Sequence, residues 1–293
     1  MQNIFIAGCG YIGERIAYLY KDRGDDVICM VRSTEHALKL RLSGFVTTAS
    51  SLDNSSDPLE FTVANRVLFY LIPPPGGGIS DTRARSFLSN ISEAGKPSKI
   101  VYMSTTSVYG GNNGETITEE STANPDTAMG KRRLDAETAF RDYAALNGVP
   151  LILLRVSGIY GPGRLPLMQI SQGQPLLNEN ESGPSNRIHA DDLSKICIAA
   201  AELAGDGDIF NISDGHPTSM TTYFNACADA LGYPRQPQIP LDEAREVMSP
   251  LMFSYISSTR IVDNSRMLKS LGVKLLYKDL NEGIAASLPP GIP

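Results

Sequence analysis

Apolar and polar positions alternate with two different periods along the first half of the chain. Six runs are apolar and rich in β-branched residues, which predicts strands at 3–7, 26–31, 45–48, 66–72, 99–104 and 150–156. Helical periodicity between them predicts helices at 12–22, 34–42, 81–94 and 129–146. Strands that alternate with helices build a parallel sheet covered on both faces. The pattern therefore predicts an α/β fold of the Rossmann type, a doubly wound parallel sheet.

The second half of the chain is more mixed, with several prolines between Pro234 and Pro250. We predict that it adds a smaller C-terminal substrate-binding region. This region would cover the cleft at the carboxyl ends of the strands, where open α/β sheets bind ligands. The sheet domain is expected to span 1–156 plus 188–213, and the smaller region 157–187 plus 214–293.

Composition and charge narrow the class of protein. The chain has 293 residues and a net charge of −6, an acidic balance that favours neither nucleic acid nor an anionic membrane as a partner. Its apolar runs are too short to span a membrane. No basic segment precedes an apolar one at the N-terminus, so no signal peptide is predicted. Four isolated cysteines favour a reduced, cytoplasmic protein, and the sequence contains no cluster of His, Cys and Asp that would predict a metal site.

A glycine-rich segment directly follows the first predicted strand and opens the first helix. Gly8, Gly10 and Gly13 form a G-x-G-x-x-G pattern, with Tyr11 and Ile12 between the last two. The first glycine permits the tight turn, the second lets the backbone approach a diphosphate, and the third lets helix and strand pack closely. Glycines also mark structural turns, but the position between a strand and a helix favours a dinucleotide-binding loop.

The end of the second strand indicates which dinucleotide is preferred. An acidic residue there would bind the ribose 2′-hydroxyl of NAD, whereas this chain carries Arg32 and Ser33. An arginine pairs with a 2′-phosphate, and a serine donates a hydrogen bond to it. We therefore predict NADP as the cofactor, with NAD as the alternative. The other interpretation of Arg32 is an exposed residue at the start of a helix.

Longer motifs resemble those of one known family. Residues 103–110 are similar to its S-S-x-x-V-Y-G segment, and residues 154–164 to its L-R-P-x-x-V-Y-G-P-G-R segment. Residues 187–192 are similar to the segment that ends in I-H-V-D-D, and residues 263–266 to N-S-K. These motifs occur in the same order as in the family. Over nearly its whole length, the chain therefore resembles the extended short-chain dehydrogenase/reductase superfamily, of the NAD-dependent epimerase/dehydratase type.

The resemblance implies a catalytic set with one departure. In the family a Ser or Thr orients the substrate, a Tyr exchanges a proton, and a Lys binds the nicotinamide ribose and lowers the pKa of the Tyr. Thr105 matches the first residue and Lys131 the last, but Thr127 stands where the family has Tyr. A threonine hydroxyl cannot replace a phenol as an acid near neutral pH, so the chain resembles an atypical branch of the family. Tyr109 is either a substitute acid or a residue that packs at the base of its loop.

Further cofactor contacts are expected at the ends of the central strands. Leu71, Ile72 and Pro73 end the fourth strand, where the family has small alanines, and Val156 ends the sixth. Proline has no N–H group to donate, so this part of the site is altered. Together with Lys131, which the resemblance places at the nicotinamide ribose, these residues complete the predicted cofactor site.

Two groups of polar residues have alternative roles. Arg164 and Arg187 flank the segment expected to cover the cleft, where each either holds an anionic substrate group or forms a surface ion pair. Asp191 or Asp192 is expected to cap the helix that follows, and His189 to be structural.

The helices predicted at 81–94 and 129–146 are expected to pair with their copies in a homodimer. This expectation follows the family, whose members often dimerise through these helices as a four-helix bundle. Five residues of the second helix fall on one face of it: Ala136, Phe140, Tyr143, Ala144 and Asn147.

Three functions are compatible with the sequence. The first is an NADP(H)-dependent oxidoreductase or epimerase that acts on a small polar or nucleotide-linked substrate. The second is an NADP(H)-binding sensor or regulator without turnover, and the third is a scaffold that binds nothing. The intact glycine loop argues against the third function. The retained Thr105 and Lys131 favour the first, and the missing tyrosine favours the second.

Overall fold

A computed structural model describes residues 1–53, 62–92, 95–110, 114–249 and 259–289, together with Phe253 and Ile256. Its strands are β1 (Asn3–Ala7), β2 (Asp26–Val31), β3 (Val46–Ala49), β4 (Val67–Tyr70), β5 (Lys99–Thr105), β6 (Thr116–Ile117), β7 (Leu151–Val156), β8 (Gly158–Tyr160), β9 (Leu176–Leu177), β10 (Pro184–Ser185), β11 (Arg187–His189), β12 (Ile209–Ile212), β13 (Thr218–Ser219), β14 (Gln238–Ile239) and β15 (Ile261–Val262).

The helices alternate with these strands. They are α1 (Tyr11–Asp22), α2 (Thr34–Leu42), α3 (Thr82–Ser89), α4 (Ala128–Asn147), α5 (Leu167–Ser171), α6 (Ala190–Leu203), α7 (Met220–Leu231), α8 (Leu241–Val247) and two short helices at Ser265–Leu271 and Leu280–Ala285. A 3₁₀ turn at Thr106–Tyr109 follows β5. In the described ranges, every helix is too short or too polar to be a transmembrane span.

Seven parallel strands form the central sheet in the spatial order β12-β7-β5-β4-β1-β2-β3. This arrangement confirms the predicted α/β, Rossmann-type fold. The six predicted strands are present with shifts of at most a few residues, and β12 is a seventh that the apolar pattern did not predict. The strand order reverses between β1 and β4, so a crevice opens there at the carboxyl ends of the strands.

Side chains from the sheet enter two separate cores, one on each face. Along β1, Ile4 and Ile6 belong to the core that contains α1, α2 and α6, whereas Phe5 and Ala7 belong to the core that contains α3 and α4. Successive side chains of a strand point to opposite faces of the sheet, so a strand that is buried on both faces supplies both cores in alternation. The helices on both faces hold the sheet rigidly and fix the loops that line the crevice.

The face of α4 that the sequence assigned to a dimer is packed inside the chain. Ala136 and Phe140 are fully buried, and Ala144 is nearly so. The Phe140 ring stacks on Tyr102, with centroids 4.7 Å apart and an angle of 19° between the rings. The expected interface face is therefore wrong for these residues, because they cover the protein's own sheet. The homodimer itself stays a prediction.

Helix α3 also differs from the expectation, since it ends at Ser89 and not at residue 94. Residues 93 and 94 lie outside the described part of the chain.

The four cysteines are buried free thiols, at Cys9, Cys29, Cys197 and Cys227.

The segments after β7 build a smaller third core beside the crevice. Tyr160, Leu165 and Ile170 pack there against Tyr223 and Ile284 from later parts of the chain. Short paired strands, such as β10 with β13 and β9 with β14, connect this region. The predicted domain boundaries stay a prediction.

Candidate functional site

The glycine-rich loop joins β1 to α1 and is held in place by β2. The N–H groups of Gly8 and Cys9 donate to the carbonyl oxygen of Met30, at 3.1 and 2.9 Å. Gly8 has a φ of +89°, a left-handed conformation that favours glycine. A Cβ added at Gly8 would lie 2.9 Å from Cγ1 of Ile72, and one added at Gly13 would lie 2.8 Å from the carbonyl oxygen of Gly8. Packing within the protein therefore explains the first and third glycines.

Gly10 differs from its two neighbours in the pattern. A Cβ added there would have no atom of the described residues within 4 Å. Gly10 is also the N-cap of α1 and offers the helix no side-chain cap. The first N–H groups of a helix have no partner within it, so they face open space together with the positive end of the helix dipole. Within the described chain no packing contact requires glycine here, whereas an approaching diphosphate would.

A cavity of about 500 Å³ opens at this loop, and its volume is typical of small-molecule sites. Nine of the predicted cofactor residues line it: Gly8, Gly10, Tyr11, Ile12, Gly13, Arg32, Leu71, Ile72 and Pro73. Three others do not line it: Ser33, Lys131 and Val156. The fold thus brings the ends of β1, β2 and β4 together around one space, and the cofactor role of these residues stays a prediction.

The charged groups near the end of β2 leave one cation unpaired. Arg83 donates two hydrogen bonds to the carboxylate of Asp53, at 2.6 and 3.1 Å, and this bidentate contact holds the pKa of Asp53 below its usual range. Arg32 is exposed and forms no hydrogen bond or ion pair with any described residue. Ser33 accepts a hydrogen bond from the N–H of His36 and caps α2. Apart from a charge interaction with Asp53, Arg32 is therefore the cation at the end of β2 that is available for an anionic group.

The hydroxyl groups of the three candidate catalytic residues all have partners within the protein. Oγ1 of Thr127 accepts from the N–H of Gly130 at 3.0 Å and caps α4. Oγ1 of Thr105 accepts from the N–H of Ser107 at 3.1 Å. Among the described residues that line the cavity, neither threonine is present. The catalytic roles of Thr105 and Thr127 stay predictions, while the hydrogen bonds of both side chains give each a structural role.

Tyr109 is buried below the loop and does not line this cavity. Its hydroxyl donates to Oδ1 of Asn211 at 2.8 Å, and the Arg155 guanidinium lies 4.7 Å from the centre of its ring. Burial raises the pKa of Tyr109, which makes the phenol a weaker acid than an exposed tyrosine. It lines a second, more polar cavity of about 550 Å³ together with Glu115 and Asp126. This position fits packing at the base of the loop.

Helix α4 presents Arg133, and not Lys131, to the cavity. Arg133 lines the cavity and donates to the carbonyl oxygen of Met103 at 3.2 Å, whereas Lys131 is exposed. Positions 131 and 133 are two residues apart, which places their side chains about 200° apart around the helix axis, so they cannot share a face. Arg133 was not predicted from the sequence, because the T-x-x-x-K spacing from Thr127 selects Lys131. The signal was present, since Arg133 stands three and seven residues before the buried Ala136 and Phe140, on the inward stripe.

The two arginines proposed for an anionic group have different surroundings. Arg187 is buried and donates to Ser185 and Thr218, and its guanidinium lies 4.4 Å from the ring centre of Tyr223. These contacts give it a structural role, and it forms no ion pair with a described residue. Arg164 lines the cavity and lies over the ring of Tyr11 at 4.3 Å.

The cap of α6 is His189 and not one of the aspartates that follow it. Nδ1 of His189 accepts from the N–H of Asp191 at 3.2 Å, and burial lowers the pKa of this histidine. Asp191 and Asp192 lie inside the first turn, past the cap position, which explains why the expectation was wrong. The carboxylate of Asp192 instead accepts from the N–H groups of Leu276 and Tyr277, at 2.7 and 3.0 Å.

Comparisons with known proteins agree with this fold. Residues 84–213 match the model of the NAD dependent epimerase/dehydratase family. The chain is 26% identical over 288 residues to protein YeeZ of Escherichia coli K12, covering 95% of this chain and 97% of that protein.

Solved structures have a similar fold over nearly the whole length of this chain. A functionally unknown conserved protein from Silicibacter pomeroyi is 25% identical, with a TM-score of 0.82 and 98% of both chains covered. A UDP-glucose 4-epimerase from Thermotoga maritima, solved with UDP-glucose, is 18% identical, with a TM-score of 0.77 and coverage of 98% of this chain and 97% of the other. At that identity the second likeness concerns the fold alone.

Proposed function

We propose that this chain, a member of the NAD dependent epimerase/dehydratase family through residues 84–213, binds a nicotinamide dinucleotide at the end of β1 and prefers NADP(H) to NAD(H). The observation that carries the proposal is Gly10, which opens α1 toward the cavity and has no packing reason of its own to be glycine. The dinucleotide diphosphate would lie at this helix N-terminus. The unpaired Arg32 supports the preference for a 2′-phosphate.

We expect the purified protein to bind NADPH more tightly than NADH, and the variant Arg32→Ala to lose that preference. The loss of one charge-assisted contact costs about 1.5–3 kcal/mol, or roughly 10- to 100-fold in affinity for NADPH. Fluorescence titration with both nucleotides measures this change. Arg41→Ala is a matched control, since Arg41 on the helix that follows Arg32 contacts Thr47 and does not line the cavity. Equal binding of the two nucleotides, or a preference that survives in Arg32→Ala, would contradict the NADP assignment.

For the reaction, we propose an oxidoreductase or epimerase that acts on a small polar or nucleotide-linked substrate. Solved proteins of the same fold hold UDP-glucose or UDP-glucuronic acid together with NAD, which supports this substrate class. The third core beside the crevice supports a substrate site next to the cofactor. Turnover is tested with a panel of sugar nucleotides and simple carbonyl compounds, by following NADPH absorbance.

One observation favours a second candidate, a dinucleotide-binding sensor without turnover. Tyr11 is the one tyrosine among the described residues that line the cavity, and its hydroxyl donates to the carbonyl oxygen of Pro162. Among the described residues, no second tyrosine lines the cavity to which Met103 and Arg133 belong. Tight NADPH binding without oxidation of NADPH by any member of the panel would favour the sensor. Oxidation above background would favour the enzyme.

We further expect Arg133→Gln to weaken dinucleotide binding by roughly 10-fold, since one charge-assisted hydrogen bond contributes about 1.5 kcal/mol. The control Lys131→Gln changes the residue that the family spacing selects, and we expect it to bind as the unchanged protein does because its side chain is exposed. Titration with NADPH, together with a thermal melt of each variant, separates binding from stability. The reverse result, a loss in Lys131→Gln alone, would restore the Thr127 and Lys131 assignment.

A further inference from the structure

The loop that follows β8 reaches over the glycine-rich loop and touches its first helical residue. The hydroxyl of Tyr11 donates to the carbonyl oxygen of Pro162 at 3.0 Å. Gly161 has a φ of +147°, and a Cβ added there would lie 2.6 Å from that same hydroxyl. The N–H of Arg164 donates to the carbonyl oxygen of Gly161 at 2.9 Å and closes the turn. Residues 161–164 are therefore shaped around the Tyr11 side chain.

Two guanidinium groups lie against the Tyr11 ring. Arg15 lies 4.1 Å and Arg164 4.3 Å from the ring centre. Their other contacts differ. Arg15 donates to Oδ1 of Asp191 at 2.9 Å, so its charge is balanced, and it is not among the described residues that line the cavity. Arg164 lines the cavity, is exposed, and has no hydrogen bond or ion pair from its side chain to a described residue.

The Arg164 side chain and the N-terminus of α1 line the same cavity, and both favour an anion there. Arg164 shares the cavity with Gly10 at the positive end of the α1 dipole, where a cation is repelled and an anion is stabilised. A cation–π contact with an exposed ring stabilises it by only about 0.5–1 kcal/mol. An anion between the N-terminus of α1 and the Arg164 guanidinium would be attracted by the helix dipole and by the arginine charge. A diphosphate is such an anion, and a guanidinium binds phosphate oxygens in a bidentate manner.

We propose that Arg164 binds the diphosphate of the dinucleotide, and that Tyr11 positions it there. The proposal rests on the proposed function, because it needs a dinucleotide in the cavity. It adds a ligand from the loop at 161–164, which contacts the glycine-rich loop through Tyr11. The same chemistry would suit the diphosphate of a nucleotide-sugar substrate, so the test has to separate the two sources.

The test is calorimetric titration of three ligands into the full-length protein and its Arg164→Gln variant. NADPH carries the 2′-phosphate and the diphosphate, adenosine 2′-monophosphate carries only the former, and UDP-glucose carries a diphosphate without nicotinamide. We expect Arg164→Gln to bind NADPH at least about 10-fold more weakly and adenosine 2′-monophosphate as before. Arg15→Gln, which alters the other guanidinium beside the same ring, is the matched control and should bind NADPH unchanged.

A second variant tests the positioning role of the ring. Tyr11→Leu removes the surface on which Arg164 rests, so it should weaken NADPH binding by less than Arg164→Gln. The effects of the two substitutions should not add in the double variant, because both act through one guanidinium. A purely structural role of Tyr11 would give additive losses, with a fall in adenosine 2′-monophosphate binding as well.

The outcomes separate this proposal from the proposed function. If the unchanged protein binds NADPH and Arg164→Gln binds it equally well, the Arg164 proposal is overturned and the proposed function stands. If Arg164→Gln loses affinity for UDP-glucose but not for NADPH, the cation serves the substrate and the proposal is again wrong. If the unchanged protein binds no dinucleotide, the proposed function fails and this proposal fails with it.

Discussion

The variant Gly10→Val is expected to lose dinucleotide binding while it keeps the fold. The valine side chain would project into the cavity, where no described atom lies within 4 Å of an added Cβ. It would keep the diphosphate away from the first N–H groups of α1. Loss of one or two charge-assisted hydrogen bonds, at about 1.5–3 kcal/mol each, lowers the affinity by on the order of 100-fold or more. Titration with NADPH measures the binding, and circular dichroism checks the fold.

Gly13→Ala is the informative comparison for this variant. A Cβ at Gly13 would lie 2.8 Å from the carbonyl oxygen of Gly8 and 3.0 Å from Cγ2 of Ile6. Ile6 is part of β1, and the N–H of Gly8 is bonded to Met30 of β2, so neither can move easily. We expect this variant to unfold at a lower temperature, whereas Gly10→Val should melt close to the unchanged protein. A large loss of stability in Gly10→Val, or full NADPH binding by it, would contradict the role assigned to Gly10.

The variant Glu137→Gln is expected to show the largest loss of stability. Glu137 is buried in α4, where its carboxylate accepts from Nε and Nη2 of Arg155 at 3.0 and 2.8 Å and from Oγ of Ser104 at 2.6 Å. Arg155 is 4% exposed, so a neutral partner would leave a buried cation without its counter-charge. Removal of one member of such a pair costs about 3–5 kcal/mol. The free energy of unfolding from urea denaturation measures the loss.

The chain offers a matched surface pair as a control. Asp229 accepts from Nε and Nη2 of Arg235 at 2.9 and 2.7 Å, nearly the same bidentate geometry, but both side chains are at least half exposed. Water screens this pair, so Asp229→Asn should destabilise the protein far less than Glu137→Gln. Equal losses for the two variants would show that burial does not decide the contribution of the ion pair.

The parts of the fold that local pattern controls could be predicted from the sequence. Residues 4–7 are apolar because β1 is buried on both faces, and Gly13 is a glycine because of its packing against Gly8 within the same turn of chain. Strand β12 escaped prediction because its four residues, Ile209–Ile212, include a polar asparagine. That asparagine accepts a hydrogen bond from Tyr109, which lies 102 residues away in sequence.

The site itself was only partly predictable. Arg32 could be placed from its position after the second strand, but the pairing of Arg83 with Asp53 joins residues 30 positions apart and leaves no local pattern. Arg133 was missed because a spacing motif was preferred to the helical face. The inward stripe of α4 would have selected it, since burial follows the 3.6-residue period.

The bonds from Asp192 to Leu276 and Tyr277 have a consequence for biosynthesis. The aspartate lies in the first turn of α6 and is 1% exposed in the folded chain, yet Leu276, which donates to its carboxylate, is translated 84 residues later. At about 5–20 residues per second, a ribosome needs roughly 4–17 seconds to supply it. Throughout that interval the carboxylate must remain hydrated, because a buried anion without donors is costly. We therefore expect the first turn of α6 to stay exposed to water in the nascent chain until the segment around Tyr277 has been synthesised.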